Sequence, residues 1–201
     1  MAEKLNTRER IMEAAEAVFA EKGYHDAAMD EIVRRTDMSK GGLYFHFPSK
    51  ERLFFAVMDH LADRLIDRVS GAVERRQGAV ERLDAALETA MDILTKRRRL
   101  AKLLLVQGYS MGNPFEKKRM EIFTRFASLI RDNLELAVRE GVIPPQNTEI
   151  AAFVWAGAIN EVLIRWVYTG EPDPMKEALP VLRRMLLDGV GAKTEPVAGG
   201  R

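Results

Sequence analysis

The apolar positions of this 201-residue chain recur at helical spacing almost from end to end, and breaker residues cut the pattern into separate helices. Ile11, Ala14, Ala15, Val18 and Phe19 follow the i, i+3, i+4, i+7, i+8 stripe of one buried face, with Thr7 as the expected N-cap and Gly23 as the stop. A shorter stripe, Met29, Ile32 and Val33, ends at Thr36-Asp37-Met38. Ser39 is then placed to cap a helix from Lys40 to Phe45, because its hydroxyl can accept from an unpaired backbone N–H. Ser49 is expected to cap a long helix carrying Leu53, Phe54, Val57, Met58, Leu61, Leu65 and Val69 on one side, as far as about Arg75. After Gln77-Gly78 comes a helix marked by Val80, Leu83, Leu87, Met91 and Leu94, then an apolar run, Leu100–Val106, ended by Gly108 and Gly112.

Asn113-Pro114 reads as a cap followed by proline at N1, where the missing N–H costs nothing. That helix ends at Gly141 and Pro144-Pro145, and Asn147 or Thr148 starts the next, which runs through Tyr168. Asp173-Pro174 repeats the cap-proline pair before a last helix with Leu179, Leu182, Met185 and Leu186; Pro180 inside it is expected to kink it or mark its true start. Residues 192–201 lack any periodic pattern and are expected to be disordered. The pattern therefore predicts an all-α chain.

Composition narrows the setting. The absence of cysteine excludes disulfides and thiolate metal ligands and fits a reducing cytoplasm. Met1–Arg10 is polar with no apolar run behind it, so no secretory signal is expected. The most apolar stretch, Ile150–Tyr168, contains Asn160, Glu161 and Arg165, which a lipid-facing helix would carry at high cost; a buried helix of a soluble, cytoplasmic protein is the expectation, with no membrane partner.

The two short helices at Met29–Arg35 and Lys40–Phe45, joined by a tight turn, have helix-turn-helix spacing, with the second placed to enter a DNA major groove. A local packing unit has the same pattern. The segment closely resembles the DNA-binding domain of the tetracycline-repressor (TetR) family of bacterial regulators, through Gly23-Tyr24, Ile32, Ser39-Lys40-Gly41, Leu43-Tyr44, His46-Phe47, Ser49-Lys50-Glu51 and Leu53. The resemblance covers roughly residues 7–55. It implies an N-terminal three-helix helix-turn-helix DNA-binding domain, residues 1–52. A long helix joins this to a larger helical ligand-binding and dimerisation domain, 53–191, with 192–201 as a tail.

By that resemblance Ser39–Phe45 is the recognition helix. Gly41 and Gly42 let its backbone come close to bases and phosphates. Lys40 is its one long donor, for a guanine edge or a phosphate. Tyr44 and His46 are expected to point an O–H and an N–H at phosphates. Lys50 lies at a helix N-terminus where the dipole already favours an anion, as do Thr7 and Arg8 on the first helix. Lys50 has the alternative of a solvated lysine, Tyr44 that of a core residue, and Arg34 and Arg35 that of balancing a helix C-terminus. Three places depart from the family pattern: Ala27-Ala28 where threonines are usual, Asp37 where the turn usually has glycine, and Gly42 for the usual threonine. These bear on the operator sequence rather than the fold.

Charge adds a complication. The net charge is +1, yet residues 1–60 hold nine Lys/Arg against eleven Asp/Glu, a net of −2. DNA affinity therefore depends on local placement, with Arg8, Lys40, Lys50 and Arg52 facing phosphates and the acids facing away.

The second half agrees with the family in size. Ile150–Tyr168 is apolar almost all round and has small Ala156, Gly157 and Ala158, so it needs cover on every side. A partner subunit in a homodimer supplies that cover; the centre of a monomeric core is the alternative. A pocket for a small hydrophobic effector is expected among Leu104, Met111, Phe115, Phe123, Phe126 and Trp155, with Gln107, Tyr109, Asn160 and Arg165 as polar groups. The bland alternative is ordinary core, with Glu161 and Arg165 as an i, i+4 pair. No acidic cluster marks a cation site, which favours a neutral or acyl ligand.

His25, His46 and His60 lack metal-ligand spacing, so neither metal nor cofactor is expected. No cysteine nucleophile, phosphate-binding Gly loop with Lys-Ser/Thr or His-Glu-x-x-His motif supports an enzyme. The expected function is a transcriptional regulator, a repressor binding a palindromic double-stranded DNA operator as a dimer and released by its effector. The competing class is a helical adaptor that binds only protein.

Overall fold

The structure, a computed structural model, describes residues 6–106 and 112–192. Among these every regular element is helical: α1 (Thr7–Asp26), α2 (Met29–Arg34), α3 (Lys40–His46), α4 (Lys50–Glu74), α5 (Ala79–Lys96), α6 (Arg98–Ala101), α7 (Asn113–Arg139), α8 (Thr148–Thr169) and α9 (Leu179–Gly189). Two π-helical turns, Lys102–Val106 and Pro174–Ala178, complete them.

Local chemistry sets the helix ends. Asn6, not Thr7, caps α1. Its side chain accepts from the Glu9 N–H, and the Glu9 carboxylate accepts from the Asn6 N–H. Asn-x-x-Glu is a reciprocal pair, whereas the residue three beyond Thr7 is Arg10, which has no acceptor to offer. Gly23, at φ 80° and ψ 174°, breaks the path of α1 in a region open only to glycine, so Tyr24–Asp26 form an offset last turn. Ser39, Ser49, Asn147 and Asp173 cap as expected, each side chain accepting from a backbone N–H of its helix's first turn. Ala28 stands at the N-cap of α2 with no side-chain bond to give. The start of α7 is shifted by one residue: Gly112 is the cap and Asn113 already helical. The shift is cheap because the first four N–H groups of a helix have no partner, so Pro114 loses nothing at the second position. Pro180 is the second residue of α9, immediately after the wider turn in which the Ala178 N–H reaches back to the Asp173 carbonyl.

One core cluster runs from Ile11, Phe19 and Leu43 through Leu53, Phe54, Val57 and Leu65 to Phe115, Ile122 and Trp166. A second joins α5, α7, α8 and α9. The expected division at 52/53 thus falls in the first turn of α4, inside a continuous helix and a continuous core. That helix spans about 37 Å at the standard rise. Ion pairs tie it to α7: Lys118 Nζ lies 3.1 Å from the Asp59 carboxylate, and Arg125 is bonded to Asp63.

α8 is long and apolar enough to cross a bilayer by length and composition. Ala152, Trp155, Ala156, Leu163, Trp166 and Val167 are buried in the body, so the expected burial holds on one face. On the other, Ile150, Phe153, Val154 and Tyr168 are exposed, and α9 adds exposed Val181 and Met185. Of the tail expected at 192–201, Ala192 is buried and donates its N–H to the Leu187 carbonyl; the rest lies outside the described residues.

Candidate DNA interface and effector cavity

The α2–turn–α3 unit hangs on three apolar anchors. Ile32, Leu43 and Phe47 are buried, and the i, i+4 pair on α3 turns its opposite face outwards. Asp37 makes the turn at φ 51°, the left-handed position where glycine would be easier. The Thr36 hydroxyl donates to the Val33 carbonyl, and the Arg10 guanidinium donates to the Thr36 carbonyl, which fastens the turn to α1.

The expected DNA-facing residues fall into two sets. Lys40, Gly41 and Tyr44 are exposed on α3. A side chain at Gly41 would meet nothing within 4 Å, whereas a Cβ at Gly42 would sit 3.2 Å from Met38 Cε and 3.3 Å from Ser39 Oγ. Glycine at 42 therefore keeps the cap seated. Ser39 Oγ is engaged by the Gly42 N–H, and His46 is half-buried beside the Phe45 ring. Arg8 is exposed at the start of α1, its guanidinium 5.2 Å from the Phe47 ring centroid, so it lies against the same end of the unit; Thr7 beside it is exposed.

Lys50 belongs to the second set. Its Nζ donates to the His25 carbonyl at 2.9 Å and the Ala27 carbonyl at 3.0 Å, and stands 4.6 Å from the Tyr24 ring centroid. It fastens α4 to the last turn of α1 and the connection that follows, a role sequence reading did not offer. Lys50 joins two elements distant in sequence, and spacing alone carries no sign of that.

Carboxylates hold several of the cations. Asp30 hydrogen-bonds Lys40 at 2.8 Å and raises its pKa. Arg35 spans Glu21 and Glu31, and Lys22 meets Glu31 at 2.6 Å. Hydrogen bonds from Arg35 and Lys22 lower the pKa of Glu21 and Glu31 respectively. Three acids of this net-negative unit, Glu21, Asp30 and Glu31, are thus engaged in internal pairs.

One residue was missed. Phe45 is 86% exposed in the last turn of α3. In Leu-Tyr-Phe-His-Phe an aromatic looks like core, but the helical period could have found it: with Leu43 and Phe47 inward, Phe45 must point the other way.

The cavity lies in the body between α4, α5, the first π turn, α7 and α8, and encloses about 950 Å³ of non-atom space, its open mouth included. Of the expected lining, Leu104, Phe123, Phe126, Trp155 and Asn160 are there. Gln107, Tyr109 and Met111 lie outside the described residues. Phe115 is elsewhere, packed 4.9 Å from both Tyr24 and Phe55 and 5.7 Å from Phe54, so it joins α7 to the DNA-reading unit. Arg165 is exposed and does not line the cavity. Five residues beyond Asn160 is about 140° around the helix, which puts it on the far side. Leu65 and Val69 of α4 do line it, and so does Arg119, which was missed.

A helix-turn-helix unit carried on the end of a long helix, whose far half walls an apolar cavity, is the architecture of an all-helical DNA-binding regulator with an internal cavity. Residues 11–57 match the model described as bacterial regulatory proteins, tetR family, and residues 76–190 match the tetracyclin repressor-like C-terminal domain. The chain belongs to the TetR family of transcriptional regulators. The transcriptional activator FasR of Mycolicibacterium smegmatis is 36% identical over 102 residues, 51% of this chain and 47% of that protein. The uncharacterized regulator YdgC of Bacillus subtilis is 26% identical over 187 residues, 90% of this chain and 92% of that one. This chain thus spans about half the length of FasR and nearly all of YdgC. Among solved structures, FadR from Bacillus subtilis in complex with stearoyl-CoA superposes with a TM-score of 0.81 at 21% identity, covering 90% of this chain and 98% of that one, a likeness of fold.

Proposed function

We propose that this chain is a cytoplasmic, ligand-responsive repressor that binds a palindromic double-stranded DNA operator as a homodimer and is released by a small hydrophobic effector. The observation that carries the reading is the double engagement of α4: Leu53, Phe54 and Val57 pack in the core that holds the DNA-reading unit, and Leu65 and Val69 wall the cavity. A ligand that fills the cavity pushes on the same rigid rod that positions α3. Both half-sites must be engaged at once, so a tilt of α4 that changes the separation of two α3 helices penalises binding without unfolding anything. The effector must prefer the DNA-incompetent state; a tenfold preference is about 1.4 kcal/mol of coupling.

The DNA contacts proposed are Lys40, Gly41, Gly42 and Tyr44, with Phe45 added, and Thr7, Arg8, Ser39 and His46 at the flanks. Lys50 supports them from behind. The exposed apolar faces of α8 and α9 form the dimer contact, a four-helix bundle across a two-fold axis. The effector contacts are Leu104, Phe123, Phe126, Trp155 and Asn160. A stearoyl-CoA complex of a regulator with this fold supports an apolar chain as the kind of ligand.

The test is selection of genomic DNA fragments by the purified full-length protein, followed by titration of a selected duplex at several salt concentrations. The expected result is a near-palindromic consensus and affinity that falls steeply with salt. No retained DNA, or binding without sequence preference, overturns the reading in favour of a protein-binding adaptor.

A further inference from the structure

We propose that the cavity takes an aliphatic monocarboxylate, with its charged end held by Arg119 and its chain running towards Trp155. This rests on the ligand-responsive reading above and names the chemistry of the effector. Arg119 is the only charged residue among the described residues that line the cavity, and Asn160 is the only other with a polar group beyond the Trp155 indole. Everything else on the wall is aliphatic or aromatic.

The charged group lies at one end. α7 and α8 are joined by a short connection and pack along each other, so they run antiparallel. Arg119, near the start of α7, therefore shares an end with Leu163 of α8, while Ile130 shares the other end with Trp155 and Asn160 lies between. From Arg119 to Ile130 is about 16 Å along the helix. Leu83 and Leu87 of α5 close the far end beside Trp155. The wall thus has the polarity of a soap molecule, with one charge and one long apolar surface.

Chemistry selects the head group. A guanidinium carries five N–H donors in a planar fork that matches a carboxylate. Arg119 Nε is shielded from water, and its Nη2 lies 3.8 Å from Met120 Sδ. In such surroundings a charge-assisted hydrogen bond is roughly twice as strong as a neutral one. The Asn160 amide is a neutral polar group partway along the wall. An alcohol of the same chain forfeits the charge, an amine is repelled, and a second charge at the tail would be buried against Leu83 and Trp155 with no partner. A coenzyme A thioester replaces the carboxylate by a neutral carbonyl and attaches a large polyanion for which the described residues of this wall offer no cation beyond Arg119.

The head also has the right address. Arg119 is one helical turn from Phe115, which packs on Tyr24 and Phe54, and adjacent to Lys118, which pairs with Asp59. A carboxylate drawn to Arg119 bears on the part of α7 that touches the DNA-reading unit.

The test is titration of the full-length protein with dodecanoate, dodecanol and dodecanoyl-coenzyme A, read by calorimetry and by the fluorescence of Trp155. Wild type is expected to bind dodecanoate at least about tenfold more tightly than dodecanol, equivalent to ~1.4 kcal/mol. Arg119→Met should bring the two to parity with dodecanol binding retained, and Arg119→Lys should keep part of the preference. Because each variant is judged by its own acid-to-alcohol ratio, a general loss of folding does not mimic the result. Parity in wild type, a preference that survives Arg119→Met, or thioester binding that exceeds that of the acid overturns the assignment, and leaves operator selection standing. Failure of all three ligands to bind overturns it together with the ligand-responsive reading.

Discussion

Lys40 Nζ stands 2.8 Å from Asp30 Oδ1, so the one long cation of the recognition helix is held by a carboxylate from the first turn of the helix before it. Both side chains are well exposed, and such pairs exchange readily with other partners. A phosphate or base edge has to displace Asp30 before Lys40 can serve DNA.

Asp30→Asn should therefore tighten DNA binding at low salt and steepen the dependence of log affinity on log salt by up to about one unit, since Lys40 becomes free to release a counterion. Lys40→Ala should flatten it by a similar amount. Fluorescence anisotropy on a selected duplex at several salt concentrations reads both. A double mutant that binds like Lys40→Ala alone places the Asp30 effect on Lys40.

Phe45→Ala should leave thermal stability unchanged, because the side chain is already in solvent, while weakening operator binding at least several-fold through loss of apolar contact in the groove. The pair of measurements is the point. A fall in Tm with unchanged DNA affinity would contradict the outward role of Phe45.

Lys50→Met removes two hydrogen bonds from a charged donor to the His25 and Ala27 carbonyls and a contact with the Tyr24 ring. The expected loss is about 1–2 kcal/mol of unfolding free energy, reduced from the buried value because the site is partly exposed. Urea denaturation checks it, and an unchanged midpoint would return Lys50 to the role of a solvated phosphate ligand.

Val154→Arg on α8 and Met185→Arg on α9 each place a charge in the centre of the exposed apolar face. Light scattering should report monomer or aggregate for both, with specific operator binding lost.

Tyr24 supplies a pH dependence. Burial, with a smaller contribution from Glu51, raises its pKa above the usual value of 10.0. The folded state then holds the phenol proton more tightly than the unfolded chain does. Its contribution to stability is full below pH 10 and is lost as pH rises through the folded value. Tyr24→Phe should decline less steeply in Tm than wild type between about pH 9.5 and 11, measured by circular dichroism.

Features with a local cause could be read from the sequence, and those that depend on which elements meet could not. Ser39, Ser49 and Asp173 announce their helices because a cap is a bond between near neighbours. The stripe on α4 fixes its length and buried side for the same reason. Thr7 was one residue off because adjacent Asn6 and Thr7 both have capping chemistry and the reciprocal partner Glu9 decides between them, and Asn113 because α7 starts from Gly112 with no side-chain cap at all. In the cavity, Phe123, Phe126 and Trp155 were within reach because large apolar side chains must face inwards somewhere. Arg119 was not, because in Lys117-Lys118-Arg119 it looks like one more solvated cation, and only the packing of α7 on α8 turns it inwards. Arg165 was the reverse: a lone cation on an apolar helix invites a functional role, yet its angular position points it to solvent. Phe115 was assigned to the ligand for its aromatic character and instead bridges α7 to Tyr24 and Phe54, a meeting that depends on three separated segments.

The cations that Asp30, Glu21 and Glu31 engage have a consequence on the scale of the chromosome. A specific site competes with roughly 10⁶–10⁹ arbitrary ones, and charge alone governs attachment to the arbitrary ones. A reading head that spends Lys22, Arg35 and Lys40 on its own carboxylates has little grip on random sequence. Fewer molecules are then held at arbitrary sequence.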